Sequence, residues 1–523
     1  MDERPAGVIP WRYRIALLGG LLGLMILVVT RLDFTAIFVS PTPSATPTAT
    51  PRAMPTSTPT PTRTPAPLPA GPIPPFAIDM SGLDTDYAMR DLAVAAGFRW
   101  VRTFVGWGDI EPNGPVNGQH AYNWPDTLFD IYRNDRRLSP LVVVAAPNPN
   151  WAVPSGQRVC GPIDPAHLDD FGEFVHQLVS RYADVASHWV FYNEQDQWTG
   201  YPGHDAGGCW GEHGAEYAQM LAVAWDAAHS ADPDAQVIFG GVAYEPVWDR
   251  GRTWDPFFLR DVFRYMRDNP RPAGRDYVDM VMANQYDFGR DDWDGGADTL
   301  PRNQGVIAKF RQAVSDASFD ANTLAAYSVA RWQSEYGLDK PMGASEVGLQ
   351  VSSDCSDVQT CEELQARYVV HVNVHGLAAD LKIIAWYTLV DKERDSLKYG
   401  LLRSDLTPRP AYYAYQVLTE QLNGYEFDQQ LIVSGKPNLQ MYRFDRDGVK
   451  KLVVWRDSGG RIKSEDHNAT ETTTISAAEL GTWTGWVMIT DKSGRSRVLR
   501  ASIEATLEIS SDPVFVASLQ VAP

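Results

Sequence analysis

The stretch HWVFYNEQDQW, residues 188–198, decides the reading of this chain. Its apolar run Trp189-Val190-Phe191-Tyr192 reads as a buried strand, and that strand ends on Asn193-Glu194. A second stretch, PMGASEVGL (341–349), ends on Glu346 in the same manner. Working outward, six further short apolar runs punctuate the chain: FAIDM (76–80), FRWVRTF (98–104), LVVVAA (141–146), VIFGG (237–241), VMANQY (281–286) and IIAWYTL (383–389). Helical periods lie between them. Phe171, Phe174, Val175, Leu178, Val179 and Tyr182 form one stripe at spacings of three and four, and Tyr217, Met220, Leu221, Ala224 and Trp225 form another. Eight strand–helix units over residues 76–422 predict a (β/α)8 barrel, an α/β fold. A doubly wound open sheet is the alternative, but no Gly-rich phosphate loop follows the first strand.

Residues 423–523 change character, with strand alternation and hairpin turns such as LQMYRF-DRDG-VKKLVVW. They predict a small all-β sandwich. At the other end, residues 1–39 carry Arg4, Arg12 and Arg14 ahead of the uncharged run IALLGGLLGLMILVVT (15–30). This predicts a single transmembrane helix with a cytoplasmic tip, a cleaved signal peptide being the competing reading. Residues 40–75 are nearly all Pro, Thr, Ser and Ala, and predict an extended stalk. The barrel is thereby expected outside the cell, tethered, or secreted if the leader is removed.

The chain has 523 residues, with 65 acidic against 46 basic side chains and a net charge of −19, which disfavours nucleic acid or anionic lipid as partners of its bulk. Membrane contact is expected through the N-terminal helix only. Four cysteines allow three pairings; the expected ones are Cys160 with Cys209 and Cys355 with Cys361, as loop staples in an oxidising compartment. No C-x-x-C occurs, and neither a metal nor a cofactor is expected. His371 and His375 are four apart but lack the Glu of a zinc helix, and read as outer-helix residues. Asp291, Asp292, Asp294 and Asp298 read as a solvated loop rather than a calcium site.

In a barrel, groups at the C-terminal ends of strands converge on one face. Glu194 and Glu346, on the fourth and seventh strands by this count, would then share a site. Two carboxyl groups about 5–5.5 Å apart suit retaining cleavage of a glycosidic bond, one as acid/base and one as nucleophile.

Here the text resembles the large clan of retaining (β/α)8-barrel glycoside hydrolases, most of all its family-39-like and family-5-like branches. Besides the two Glu stretches, RWVRTFVGWGDIEPNGPVNGQHAYNW (99–124) is similar to their second strand and its loop, GLLRSDLTPRPAYYAYQVL (400–418) to their run after strand eight, and DPVFVA (512–517) to the last strand of their accessory domain. The resemblance implies that Glu194 is the acid/base, Glu346 the nucleophile and Asn193 the contact to the sugar 2-hydroxyl. It implies that Arg102 hydrogen-bonds the nucleophile, Tyr286 lies beside it, and Trp386 is the aromatic floor under the sugar. Gln195 stands where many members carry Pro, and Asn284-Gln285 precede Tyr286 where a His is common. Trp107 and Trp151 are candidate sugar platforms in the loops, with Trp198, Trp210 and Tyr244 behind them. The expectation is a retaining glycoside hydrolase acting on an oligo- or polysaccharide; a glycan-binding protein on an inactive barrel and a transglycosylase are the alternatives.

Overall fold

The computed structural model of the chain describes residues 73–201, 207–243, 253–286, 336–351, 357–392, 398–456, 469–481, 485–500 and 503–519. All lie in one compact unit, Thr64–Pro523. The predicted membrane span, Tyr244, the Asp291–Asp298 loop and Cys355 fall outside the described residues. Among the described residues no helix is long and apolar enough to cross a membrane.

Eight parallel strands close into a barrel in sequence order. They are β1 (Phe76–Asp79), β2 (Trp100–Gly106), β3 (Ser139–Ala145), β4 (His188–Phe191), β5 (Gln236–Val242), β6 (Met280–Tyr286), β7 (Met342–Gly348) and β8 (Ile384–Tyr387). Each of the eight apolar runs supplies one strand. Helices α1 (Tyr87–Ala95), α2 (Asp126–Asn134), α3 (Leu168–Tyr182), α4 (Gly214–Ala231), α5 (Phe258–Asp268), α6 (Val358–Ala378) and α7 (Pro410–Leu422) follow strands in turn. All six residues of the predicted α3 stripe are buried; each such side chain contributes about 1.5–3 kcal/mol relative to exposure. Of the α4 stripe only Trp225 stays partly open.

Strand alternation sorts the side chains. Ala77, Trp100, Leu141, Val143, Val190, Ile238, Met282 and Ala385 fill the barrel interior as one apolar cluster. The residues next to them along each strand pack outward against the helices.

After α7 come β9 (Glu426–Gln430), β10 (Leu439–Arg446), β11 (Val449–Arg456), β12 (Glu471–Ser476), β13 (Trp486–Asp491), β14 (Ser496–Arg500), β15 (Glu504–Ile509) and β16 (Val514–Ser518). Six form an antiparallel sheet in the order β14-β13-β16-β11-β10-β9, and β12 pairs with β15. Ile475, Leu507 and Ile509 of the two-stranded ribbon pack with Met441, Leu452, Val454 and Val487 of the large sheet. The other face of the large sheet, through Tyr442, Phe444, Val453 and Trp455, joins the core around α6 and α7.

That seam covers the two histidines of the outer helix α6: partly buried His371 stacks on Trp455 with ring centres 4.4 Å apart, and Nδ1 of buried His375 lies 3.1 Å from the Tyr442 hydroxyl. Burial pushes both imidazoles down, His371 well below its usual range with the His375 charge adding to it, and His375 to about 3.

Candidate active site

The floor of the site is the next inward layer of the same strands. Two residues beyond Ala77, Trp100, Met282 and Ala385 stand Asp79, Arg102, Asn284 and Tyr387. Strand period alone therefore converts an apolar interior into a polar one near the C-terminal ends.

Glu346 reaches this layer by a different route. Ala344 faces outward, so strict alternation would turn Glu346 outward as well. Instead β7 bulges: Ala283 pairs with Ala344 but the next residue, Asn284, pairs with Glu346, leaving Ser345 as the extra residue. Ala344 and Val347 both stay in the outer core, so Ser345 and Glu346 are both released to the inside. Ser345 Oγ then donates to Asn284 Oδ1 at 2.6 Å. The room for this pair comes from β5, where a Cβ on Gly241 would fall 1.8 Å from Ser345 Oγ.

Glu194 arrives by a sharp turn. β4 ends at Phe191, and Tyr192 and Glu194 take left-handed backbone conformations, φ 65° and 51°. Such residues cost roughly 1–3 kcal/mol each and persist where the surroundings hold them. Here Tyr192 donates its hydroxyl to Asn148 Oδ1 (2.7 Å), and the Glu194 amide donates to the Gly241 carbonyl (2.7 Å). Gln195, buried where a Pro was the more usual residue, donates its side-chain amide to the Gly240 carbonyl at 2.8 Å.

One hydrogen-bonded net joins the two glutamates. Arg102 Nη1 donates to Glu346 Oε1 (2.6 Å) and to Asp79 Oδ2 (3.0 Å), while Nη2 donates to Asn193 Oδ1 (2.9 Å). Asn284 Nδ2 donates to Glu194 Oε1 (3.1 Å) and approaches Asn193 Oδ1 (3.4 Å). The two carboxyl groups sit in different environments. Glu346 is ion-paired to a buried guanidinium. Glu194 is pushed up to about 8, first by desolvation and then by the Glu346 charge, with the Asn284 hydrogen bond opposing. Desolvation beside a second carboxyl thus favours the protonated form of Glu194, while Glu346 sits on an arginine fork, an asymmetry that suits an acid next to a nucleophile.

Glu194, Glu346, Asn193 and Arg102 are brought together. The backbone of Tyr286 lies in β6 opposite Gly348, and its side chain lies outside the described residues. Two aromatic assignments are corrected. Trp386 is 0% exposed, faces outward from β8 against Tyr368 and Tyr415, and donates its indole N–H to the Tyr399 carbonyl. The inward aromatic is its neighbour Tyr387, half-buried and close enough to Asp79 and Glu346 to feel their charges. Trp107 is fully buried too, stacked on Phe174 with its N–H on Glu111 Oε2. Trp151 remains partly open, its indole N–H on the Glu111 carbonyl, and Trp198 is likewise half-buried; Trp210 is buried.

Asp79, Asn284, Ser345 and Tyr387 were not singled out as site residues from the sequence. A usable signal existed for the first: Asp79 stands one residue before the end of FAIDM as a lone acid in an apolar run. Cys160 and Cys209 form the expected disulfide, tying the loop after β3 to the loop after β4. Cys361 is disulfide-bonded as well. Among the described residues no group of three or more His, Cys, Asp or Glu side chains has the arrangement of a metal site.

No protein-family model matches the chain, and no curated protein does. Solved structures match it in fold. A family 39 glycoside hydrolase from the gut symbiont Bacteroides cellulosilyticus WH2 is 18% identical, with a TM-score of 0.59 over 86% of this chain and 81% of that one. A monomeric beta-xylosidase from Caulobacter crescentus CB15 is 16% identical, with a TM-score of 0.52 over 86% and 98% of the two chains. A GH30 endoxylanase from Clostridium papyrosolvens C71 is 11% identical, with a TM-score of 0.52 over 86% and 97%. At these identities the likeness is one of fold, and the fold the sequence resemblance implied, the barrel of these glycoside hydrolases, is the fold of this chain.

Proposed function

We propose that the chain is a retaining glycoside hydrolase working by double displacement. The observation that carries the proposal is the single hydrogen-bonded net through Arg102, Asn193 and Asn284 that joins Glu194 to the arginine-paired Glu346. Glu346 attacks the anomeric carbon while Glu194 gives its proton to the departing oxygen, forming a covalent glycosyl-enzyme. Glu194, now a carboxylate, takes a proton from water, and that water releases the sugar with the starting anomeric configuration. Arg102 holds Glu346 in line, and Asn193, itself fixed by Arg102, offers its amide to the sugar 2-hydroxyl. The neighbours in fold act on xylosides, xylan and glucosides by their descriptions, which makes β-xylosides and β-glucosides the first substrates to try.

The proposed layout is an anchor over residues 1–39, a stalk over 40–75, the barrel over 76–422 and a small β-sandwich over 423–523. The barrel works outside the membrane, with the Cys160–Cys209 bridge supporting an oxidising compartment.

The test is turnover of aryl glycosides and plant and microbial polysaccharides by the full-length protein and its Glu346→Gln form, with the product anomer followed by NMR. Retained anomer from the wild type alone is the expected result. Inverted product, or turnover surviving in Glu346→Gln, sinks the assignment; binding without turnover moves the reading to a glycan-binding protein. Transfer of the sugar to a second sugar in preference to water makes the chain a transglycosylase.

A further inference from the structure

The polar layer of β2 does not end at Arg102. Phe104, two residues on, stands on the same side of the strand, opposite Val143, which belongs to the barrel interior. Two residues advance about 6.6 Å along a strand, so Phe104 lies one layer nearer the mouth than the guanidinium that holds Glu346. Unlike every other described residue of β2, it is exposed, to 43%. Solitary exposed apolar residues on a convex surface are ordinary. This one is on the inner face of a closed barrel, where the cup below it is lined by Asp79, Arg102, Asn193 and Asn284.

Two features keep the ring open. On one side β1 stops at Asp79, which pairs with Arg102, so no strand residue of β1 flanks Phe104. Below, the Arg102 guanidinium lies 5.0 Å from the ring centre and supports it from the side of the floor. A sugar ring is polar at its rim and apolar on its C–H faces, and an aromatic face beside a hydrogen-bonding floor matches both.

We infer that Phe104 is a substrate-contact residue: its exposed face packs against the C–H face of the sugar whose anomeric carbon Glu346 attacks, walling the site on the β1–β2 side. The inference rests on the proposed glycosidase reading. It assigns Phe104 to ground-state binding, since the ring carries no group that can act on the reacting bond.

The experiment compares full-length wild type, Phe104→Ala and Phe104→Tyr on 4-nitrophenyl β-D-xylopyranoside and 4-nitrophenyl β-D-glucopyranoside, with thermal unfolding of all three. Loss of the wall is expected to raise KM about tenfold in Phe104→Ala, with kcat within about threefold and Tm little changed, because the ring is already half in solvent. Phe104→Tyr, which keeps the aromatic face, is expected to stay within about threefold of wild type in both constants. An unchanged KM in Phe104→Ala on a substrate the wild type hydrolyses overturns the inference and leaves the glycosidase reading standing. A KM rise that comes with a large fall in Tm and is not rescued by Phe104→Tyr makes the residue structural, and also overturns it. A wild type inert on every glycoside tried removes the proposed function, and this inference with it.

Discussion

The barrel mouth and the seam between α6 and the C-terminal sheet both bury ionisable side chains, and they do it to opposite ends. At the mouth a carboxyl is pushed up until it keeps its proton at neutral pH, while a second carboxylate beside it is held by a guanidinium. At the seam two imidazoles are pushed down until they lose theirs, His371 stacked on Trp455 and His375 edge-on to Tyr442 and Trp455. Burial displaces titration at the seam as it does at the mouth. A displaced titration therefore does not mark a site of chemistry by itself. The mouth has what the seam lacks: two carboxyl groups in different surroundings, a hydrogen-bonded net between them, and partial exposure of Glu194 and Asn193.

The largest effect that separates the two regions is on turnover. Glu346→Gln keeps the volume and an acceptor for Arg102 but removes the proposed nucleophile, so kcat should fall by on the order of 10⁴ or more with stability little changed. A loss below about tenfold, measured with a well-hydrolysed aryl glycoside, would place the nucleophile elsewhere. Next in size is a stability effect at a residue that the sequence assigned to the mouth. Trp386→Ala should cost about 3–5 kcal/mol of unfolding free energy, whereas Tyr387→Phe should leave stability within about 0.5 kcal/mol and weaken turnover instead. Urea unfolding beside kinetics on both variants decides this; a stable but catalytically poor Trp386→Ala would restore Trp386 to the sugar.

That pair of neighbours shows where reading the sequence succeeded and where it stopped. The eight strands were legible because each is an apolar run and helical periods lie between them. Arg102 was legible through the resemblance, and of the two arginines in FRWVRTF it is the one that shares strand parity with Trp100, which fills the barrel interior. In IIAWYTL no charge marks the parity and two aromatics stand side by side, and the resemblance assigned the role to Trp386 rather than to the inward Tyr387. Glu346 was named from the resemblance although its parity points the wrong way; the Ser345 bulge that turns it inward leaves no mark in MGASE beyond small residues. Asn284 was noted only as the place where a His is usual, and its bond to Glu194 needed the three-dimensional register of β6 on β7.

The seam makes its own prediction. An imidazole kept neutral in the folded chain but free to protonate in the unfolded one stabilises fully above pH 6.5, the ordinary value, and loses that contribution as pH falls below it. Each such group costs about 1.4 kcal/mol per pH unit. His371→Phe keeps the stack on Trp455 and removes one titration, as well as a buried ring nitrogen, Nε2, that has no hydrogen-bond partner. Urea unfolding at pH 7, 6 and 5 should show the variant at least as stable as wild type at pH 7, and ahead of it by a margin that widens toward pH 5. A constant margin would mean that His371 does not titrate on unfolding.

The finest effect is at the mouth. Because Glu194 must hold a proton to act as acid, kcat/KM should fall as pH rises through about 8. Asn284 donates to Glu194 and favours its charged form, so Asn284→Ala should move this alkaline limb to higher pH. A net hydrogen bond of roughly 0.5–1.5 kcal/mol corresponds to about 0.4–1 pH unit. The sign is the sharper part of the test. If Asn284 served only to hold Ser345 and the β7 bulge, its removal would lower kcat at every pH and leave the limb in place. If it acts on the proton, the profile itself must shift, and at pH 9 the variant should retain a larger fraction of its own maximum than the wild type retains of its maximum. A limb that moves downward would mean that the residue steadies the protonated carboxyl instead, and the division of labour between the two glutamates would have to be argued again from Arg102 alone.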